Sequence, residues 1–188
     1  MTTILLARHG ETDWNAERRV QGHTDRPLNE AGIEQAQELA EELADERIDA
    51  VYASDLARAL DTARAVAEPR GLSVTPLIGL RERNFGTWEG LLDEEILERF
   101  PEAHTGPWGD DETVEQMETR VLEALLQIAE DHPGGQVLVV SHGGPMRAML
   151  RRSGLAGQRI ANGQVAWIAV EDGTVRAIES AADGRLHE

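Results

Sequence analysis

Two continuous apolar runs stand out along the chain, at residues 3–7 and 136–141. Because neither run alternates with polar residues, each predicts a strand that is buried on both faces of a sheet. The other predicted strands come from shorter segments: residues 49–54, residues 72–74, and a terminal hairpin of residues 164–170 and 174–179 joined by Glu171-Asp172-Gly173.

Between these strands apolar residues recur every three or four positions, which is the spacing of an amphipathic helix. In residues 30–46 this spacing predicts a buried face formed by Ile33, Ala36, Leu39, Ala40 and Leu43. Further helices are predicted at residues 56–68, 93–100, 112–132 and 143–153. Strands and helices therefore alternate, and we expect one α/β domain over residues 1–188, a three-layer α/β/α sandwich around a mostly parallel sheet. Residues 84–134 are mostly helical, and we expect them to form a partial cap at the edge of the sheet.

The composition excludes several kinds of chemistry. The chain has no cysteine, which excludes disulfides, thiolate metal sites and cysteine nucleophiles. It also has no lysine, which excludes a phosphate-loop lysine, a Schiff base and a lysine acting as a catalytic base. All 18 basic residues are arginines, so arginine supplies every permanently positive side chain.

The net charge of −17 argues against nucleic acid and anionic membranes as partners. Acidic residues are densest over residues 82–131, with 15 carboxylates and three arginines, which we interpret as solvated helix faces. An anionic substrate would therefore need a local basic pocket elsewhere.

The first residues, MTTILLARHGET, carry a short apolar run that a charge interrupts, which fits neither a signal peptide nor a membrane span. We therefore expect a cytoplasmic protein.

Three predicted strands end in residues suited to binding phosphate. The two buried strands run into Arg8-His9-Gly10 and His142-Gly143-Gly144, and Arg58 follows the strand at residues 49–54. Because ligands bind at the carboxyl ends of strands in α/β sheets, we expect these side chains to share one crevice. The planar arginine fork matches phosphate oxygens, and Gly143 opens a helix whose N-terminus favours an anion. A phosphoryl group is the ligand that this combination indicates.

The same segments, with others along nearly the whole chain, resemble the histidine phosphatase superfamily, the phosphoglycerate mutase-like proteins. The resemblance implies the corresponding fold and activity. The residues that carry it are 6–12, Asn15, Gln21, Gly22, 27–29, Gly32, Gln35, Ala36, 53–59, Thr62, Ala63, 80–82, Phe85, Gly86, 88–90 and 140–144.

The resemblance implies a covalent, metal-independent mechanism. His9 would attack phosphorus and become a phosphohistidine, and for this it needs a neutral ring whose other nitrogen bonds a backbone carbonyl. Arg8, Arg58 and His142 would stabilise the phosphoryl oxygens, so neither a metal nor another cofactor is expected. Glu82 would protonate the leaving oxygen and then accept a proton from the attacking water.

Other residues of the resemblance are expected to bind the substrate, which would be a small phosphorylated metabolite. These candidates are Asn15, Gln21, Gly22, Thr12, Arg83 and Gly143. Thr12 reaches the phosphate through its hydroxyl or, alternatively, stabilises its own turn. Arg83 binds a second anionic group of the substrate or, alternatively, forms a surface ion pair.

Three alternatives to a phosphatase stay open. The superfamily includes cofactor-dependent phosphoglycerate mutases, but the 59 residues between Glu82 and His142 are few and acidic. Gly144 also stands where those mutases have asparagine, so a phosphatase is favoured. A non-catalytic binder of phosphorylated ligands would be expected to lose residues such as His9 or Arg58, which are present. A metal-dependent hydrolase lacks a cluster of ligands at suitable spacing. The terminal hairpin is a possible edge for homodimer formation.

Overall fold

The central element of the protein is a six-stranded mixed sheet. The computed structural model describes residues 1–104, 109, 111–155, 157 and 160–178. The strands are β1 (Thr2–Arg8), β2 (Ala50–Ala53), β3 (Val74–Pro76), β4 (Gln136–Ser141), β5 (Val165–Glu171) and β6 (Thr174–Ala177). Their order is β3-β2-β4-β1-β5-β6, with the first four parallel and the last two antiparallel to their neighbours. The predicted mostly parallel sheet is confirmed.

Helices cover both faces of this sheet. They are α1 (Asp13–Ala16), α2 (Glu30–Glu42), α3 (Ala57–Ala67), α4 (Asp93–Arg99), α5 (Val114–Asp131) and α6 (Gly143–Arg152), with short 3-10 turns at Glu68–Arg70, Ile78–Leu80, Gly86–Trp88 and Pro101–His104. In β1, Ile4 and Leu6 pack on the side of α5 and α6, whereas Leu5 and Ala7 pack on the side of α2 and α3. A continuous apolar strand thus serves both layers, and the predicted three-layer sandwich is confirmed.

Three sequence expectations are corrected in detail. The helix predicted over residues 30–46 ends at Glu42, and the strand predicted at 72–74 lies at Val74–Pro76. Ile33 is 50% exposed instead of buried. The reason is that α2 approaches the chain closely through Gly32, where an added Cβ would lie 2.0 Å from the Glu11 carbonyl oxygen. The buried face therefore runs through Gly32, Ala36 and Leu39, which turns Ile33 outward.

The terminal hairpin forms as predicted around Asp172 and Gly173, which both have positive φ as a tight hairpin turn requires. Strand β6 lies at one end of the sheet. Residue 179 of the predicted second strand lies outside the described residues. No helix among the described residues combines the length and the apolar character needed to cross a membrane.

The apolar residues of segment 84–134, the predicted cap, belong to two different clusters in the structure. The apolar face of α5, including Val121 and Leu125, joins the core on the sheet and belongs to an outer layer of the sandwich. Trp88, Ile96 and Ala103 instead form a small cluster of their own with neighbouring apolar residues. Among the described residues, apolar side chains between Phe85 and Ala103 therefore pack in a cluster apart from the sheet core, and the cap over residues 84–134 stays a prediction from the sequence.

Candidate active site

The carboxyl ends of β1 and β4 bring two histidines together. The parallel register pairs Arg8 with Ser141, so the next residue of each strand, His9 and His142, lies at the same edge. Their ring centroids are 5.0 Å apart at an interplanar angle of 61°. Arg58, in the first turn of α3, is completely buried beside them and donates from Nε to Nδ1 of His142 at 3.3 Å. The crevice expected from the strand ends is present.

His9 is held as a neutral ring with one nitrogen free for reaction. Its Nδ1 lies 2.6 Å from the carbonyl oxygen of Gly10. A carbonyl only accepts hydrogen bonds, so Nδ1 carries the proton and Nε2 keeps its lone pair. Burial, followed by the charge of Arg58, lowers the pKa of His9 well below its usual value of 6.5. This is the tautomer and charge state that a nucleophile requires.

The contact with Arg58 gives His142 the opposite tautomer to that of His9. Because Arg58 Nε donates to Nδ1 of His142, the proton of this neutral imidazole sits on Nε2. Burial and then the charge of Arg58 lower the pKa of His142 well below 6.5. The guanidinium of Arg58 also donates to the carbonyl oxygens of Gly22 at 2.8 Å and Thr24 at 3.0 Å. Burial lowers the pKa of Arg58 to about 10, so the side chain stays charged at neutral pH.

Two buried donors at this site have no hydrogen-bond partner in the part of the chain that the structure describes: Nε2 of His142 and Nε of Arg8. Arg8 is anchored at its other end, where Nη1 donates to the carbonyl oxygen of Ile160 at 3.0 Å. An unsatisfied buried donor costs roughly 1–3 kcal/mol. Donors of this kind beside an arginine charge suit the oxygens of an anion such as a phosphoryl group.

The carboxylate of Glu82 lies against the N-terminus of α6. One oxygen accepts from the backbone N–H of Arg83 at 2.9 Å, and the other accepts from that of Gly144 at 3.0 Å. A Cβ on Gly144 would lie 2.1 Å from Oε1 of Glu82. Glycine at this position therefore makes room for the carboxylate beside the helix. The charge of Glu82 opposes the fall in the pKa of both Arg8 and Arg58, which places all three in one electrostatic site.

The backbone that carries Glu82 is clamped by an arginine that sequence patterns did not single out as a site residue. Arg120 of α5 donates to the carbonyl oxygens of Gly79, Arg81 and Glu82 at 3.0, 2.7 and 2.7 Å. Glu112 holds the same guanidinium through two bonds of 2.6 and 2.8 Å. Burial, the largest single influence, would raise the pKa of Glu112. The bond with Arg120, the bond from the backbone N–H of Asn84 and the charge of Arg120 together outweigh burial, and the net shift is downward. The three contacts of Arg120 with carbonyl oxygens span 38 residues or more of sequence, so no local motif predicts them.

Two further contacts hold the same segment. Asp55, which follows β2, accepts a bidentate pair from Arg81 at 2.7 and 2.6 Å. Nε2 of His23 lies 2.8 Å from the carbonyl oxygen of Glu82. The catalytic candidate Glu82 is therefore supported from β2, from α5 and from the loop after α1.

The loop around α1 is stabilised by several of the residues expected to bind substrate. Thr12 is completely buried and donates to Oε1 of Gln21 at 3.0 Å, and it caps α1 by accepting from the N–H of Asn15 at 3.2 Å. The hydroxyl of Thr12 thus forms bonds within the loop, as the turn-stabilising alternative expects, and a contact of Thr12 with phosphate stays a prediction from the sequence. Asn162 was missed by sequence reasoning. It donates to the carbonyl oxygen of His9 at 3.0 Å and to Oδ1 of Asn15 at 3.3 Å.

Gly22 acts through its backbone. Its φ of +54° is in the left-handed region, and a Cβ there would lie 1.9 Å from Oε1 of Glu89. Glu89 accepts from the backbone N–H groups of His23 and Thr24 at 2.8 and 2.7 Å, which ties this loop to the segment after Glu82. The conformation presents the Gly22 carbonyl to Arg58.

Arg83 and Gly143, the remaining candidates for substrate binding, both lie near Glu82. Arg83 is 7% exposed, and its guanidinium carbon lies 4.4 Å from the ring centre of Phe85. It is therefore buried beside the site and does not lie on the open surface. Gly143 begins α6, and a Cβ there would come within 3.5 Å of the guanidinium carbon of Arg8.

Residues 4–183 match the sequence model of the histidine phosphatase superfamily (branch 1). The chain belongs to this superfamily. Two relatives from Arabidopsis thaliana are similar to it. A metal-independent phosphoserine phosphatase is 42% identical over 166 residues, covering 81% of this chain and 68% of the relative. A phosphoglycerate mutase-like protein 4 is 41% identical over 162 residues, covering 80% and 70%.

Solved structures of the superfamily have the same fold. YhfR from Bacillus stearothermophilus superposes with a TM-score of 0.85 at 33% identity, covering 98% of this chain and 97% of that one. A phosphoserine phosphatase from Entamoeba histolytica in complex with phosphoserine gives a TM-score of 0.80 at 27% identity, covering 94% and 95%. The protein is therefore a phosphomonoesterase of the histidine phosphatase superfamily. Among the residues that the structure describes, no group of three or more His, Asp or Glu side chains is arranged to hold a metal ion.

Proposed function

We propose that the protein hydrolyses small phosphomonoesters through a phosphohistidine on His9, without a metal ion. The observation that carries this proposal is the pairing of opposite tautomers. His9 offers a lone pair on Nε2, and His142 offers a proton on Nε2, in rings 5.0 Å apart. Such a site attacks phosphorus with one ring while stabilising its oxygens with the other. The name of the metal-independent Arabidopsis relative supports the absence of a metal.

In the first step, Nε2 of His9 forms a bond to phosphorus as the bond from phosphorus to the ester oxygen breaks. The electron pair of that bond goes to the leaving oxygen, which takes the proton of the Glu82 carboxyl group and departs as an alcohol. Arg8, Arg58 and His142 bind the remaining phosphoryl oxygens, on which negative charge is distributed in the transition state.

In the second step, water attacks the phosphohistidine. Glu82, now a carboxylate, accepts a proton from the water as the new oxygen–phosphorus bond forms. The phosphorus–nitrogen bond breaks, its electron pair returns to Nε2 of His9, and inorganic phosphate leaves. The clamp formed by Arg120 and Glu112 holds the backbone of Glu82 in one position for both proton transfers.

Gly144 supports hydrolysis over mutase activity. The mutases that the sequence resembles have asparagine at this position, whereas here the space is taken by the carboxylate of Glu82. A carboxylate next to the phosphoryl group is placed to activate water. A non-catalytic binder is less well supported, because it would not need His9 in a neutral tautomer.

The test is phosphate release from a panel of phosphomonoesters in excess chelator, with His9→Ala measured alongside. We expect release by the wild type, none by His9→Ala, and a radioactive phosphoryl group trapped on His9 after rapid quenching. His132→Gln is the matched control, since His132 bonds Tyr52 at the opposite end of the sheet and should leave activity unchanged. Isomerisation of 3-phosphoglycerate with its bisphosphate cofactor and little phosphate release would identify a mutase. Turnover that requires a metal, or that survives in His9→Ala, would refute the mechanism.

The substrate itself is proposed to be a small phosphorylated metabolite. Solved structures of the Entamoeba histolytica relative contain phosphoserine or 3-phosphoglyceric acid, which supports this class. A cytoplasmic location, the absence of nucleic-acid and membrane partners, and a homodimer formed at the β6 edge stay predictions from the sequence.

A further inference from the structure

A second cleft opens beside Glu82. It has a volume of about 310 Å³. Its lining residues include three arginines, two glutamates and several apolar side chains. The charged residues are Glu82, Arg83, Glu118, Arg147 and Arg151. A neighbouring cavity of about 230 Å³ is lined by Arg8, Gly143 and again Arg147. Arg147 therefore stands between the phosphate-binding arginine and the second cleft.

Arg147 lies close to other positive groups. Arg147 lies in α6 one turn after Gly143, and its guanidinium folds back toward the N-terminus of the helix. A Cβ on Gly143 would lie 3.1 Å from Nη1 of Arg147 and 3.5 Å from the guanidinium carbon of Arg8, so both cations flank one point. The N-terminal end of a helix is itself positive. Burial is the main reason why the pKa values of Arg8 and Arg83 are lowered, and the charge of Arg147 lowers both further.

Three other charged side chains that line the second cleft already have partners. Glu118 pairs with Arg151. Glu82 accepts from the N–H groups of Arg83 and Gly144. Arg147, by contrast, forms no ion pair or side-chain hydrogen bond with any residue that the structure describes. An exposed arginine held next to a second arginine and a helix N-terminus, in a protein of net charge −17, marks a place prepared for an anion.

We propose that Arg147, facing Arg83 across the second cleft, binds a carboxylate of the substrate while the phosphoryl group lies between His9 and His142. The proposal rests on the phosphatase function proposed above and names its substrate class: small phosphorylated carboxylic acids. A carboxylate fits better than a second phosphate, because Glu82 and Glu118 line the same cleft and repel a dianion more strongly. The arginine fork binds a carboxylate in a bidentate manner, which also orients the ester oxygen toward Glu82.

The test compares O-phospho-L-serine with O-phosphoethanolamine, which differs from it only by lacking the carboxylate. We expect the wild type to hydrolyse phosphoserine with a kcat/KM roughly tenfold higher or more. In Arg147→Gln this preference should fall toward one, with phosphoethanolamine turnover within about twofold of wild type. Arg152→Gln is the matched control, because Arg152 is an exposed arginine of the same helix that does not line either cavity.

A binding experiment separates this proposal from the proposed function. In His9→Ala, calorimetry should show 3-phosphoglycerate binding roughly tenfold more tightly than glycerol 3-phosphate, and Arg147→Gln in that background should remove the difference. If the wild type releases no phosphate but binding still depends on the carboxylate and on Arg147, the hydrolase is wrong and the carboxylate site stands. If hydrolysis occurs without a preference for the carboxylate, or the preference survives Arg147→Gln, the carboxylate site is refuted.

Discussion

Replacing Arg120 by methionine should disturb the position of Glu82 while leaving the phosphate-binding groups in place. The side chains of Arg120 and Glu112 are 22% and 15% exposed, so their pair is largely shielded from water. The substitution removes three bonds to the carbonyl oxygens of Gly79, Arg81 and Glu82 and leaves the Glu112 carboxylate without its cation. Breaking a buried pair from one side costs about 3–5 kcal/mol, and the partial exposure favours the lower end of that range.

The expected loss in the free energy of unfolding is therefore about 3 kcal/mol. Arg64→Met is the control, since Arg64 forms a pair with Asp61 at 52% and 44% exposure, and its loss should cost less than about 1 kcal/mol. Denaturant unfolding measures both. Replacing Glu112 by leucine in the Arg120→Met background should recover part of the stability, because no unpaired buried charge then remains.

Measuring the activity of Arg120→Met distinguishes a positioning role of Arg120 from a purely structural one. The phosphate-binding groups lie on β1, α3 and β4 and keep their own supports, whereas the clamp acts on the segment of Glu82. We expect kcat to fall roughly 10- to 100-fold at a temperature where the variant is folded, with KM changing much less. Equal stability losses for Arg120→Met and Arg64→Met, or an unchanged kcat in a folded Arg120→Met protein, would refute the positioning argument.

Three other predictions follow from the site. Burial lowers the pKa of His9 and His142 well below 6.5. As pH falls from 7.5 to 5.5, both imidazoles therefore become protonated in the unfolded chain but stay neutral in the folded protein. The unfolding free energy should fall by up to about 1.4 kcal/mol for each histidine, and His142→Gln should make the measured drop correspondingly smaller; an unchanged drop would contradict the neutral buried ring. Gly22→Ala forces a left-handed φ and a contact with Glu89, and thermal unfolding should show a loss of about 1–3 kcal/mol, a loss below about 0.5 kcal/mol arguing against strain. Asn162→Ala removes the bond to the His9 carbonyl, and we expect roughly 1 kcal/mol lower stability with a measurable fall in kcat/KM; wild-type values for both would show that Asn162 is dispensable.

Most of the fold was predictable because its strongest signals are local. The apolar runs of β1 and β4 predict strands buried on both faces, and the helical spacing over α3, α5 and α6 places these helices within a few residues of their observed bounds. The weak points were also local in origin. The spacing of Ile33 places it on the apolar face of α2. The close approach of Gly32 to the backbone of Glu11, however, determines which face of the helix is buried, and the periodicity of apolar residues does not show this approach.

The candidate site likewise has features that the sequence predicts and features that only the tertiary structure shows. The sequence alone determined that His9, His142 and Arg58 share one crevice, because each follows a strand and parallel strands end at one edge of the sheet. Only the tertiary structure decided how these groups are held. The tautomers of the histidines depend on which atoms face Gly10 and Arg58, and the support of Glu82 depends on Arg120 and Glu112. The position of Arg147 beside Arg8 likewise arises where α6 meets the end of β1. The contacts of Arg58 with His142 and of Arg120 with Glu82 join residues that are distant along the chain. The energies of all these contacts depend on distance and burial, which a sequence pattern does not contain.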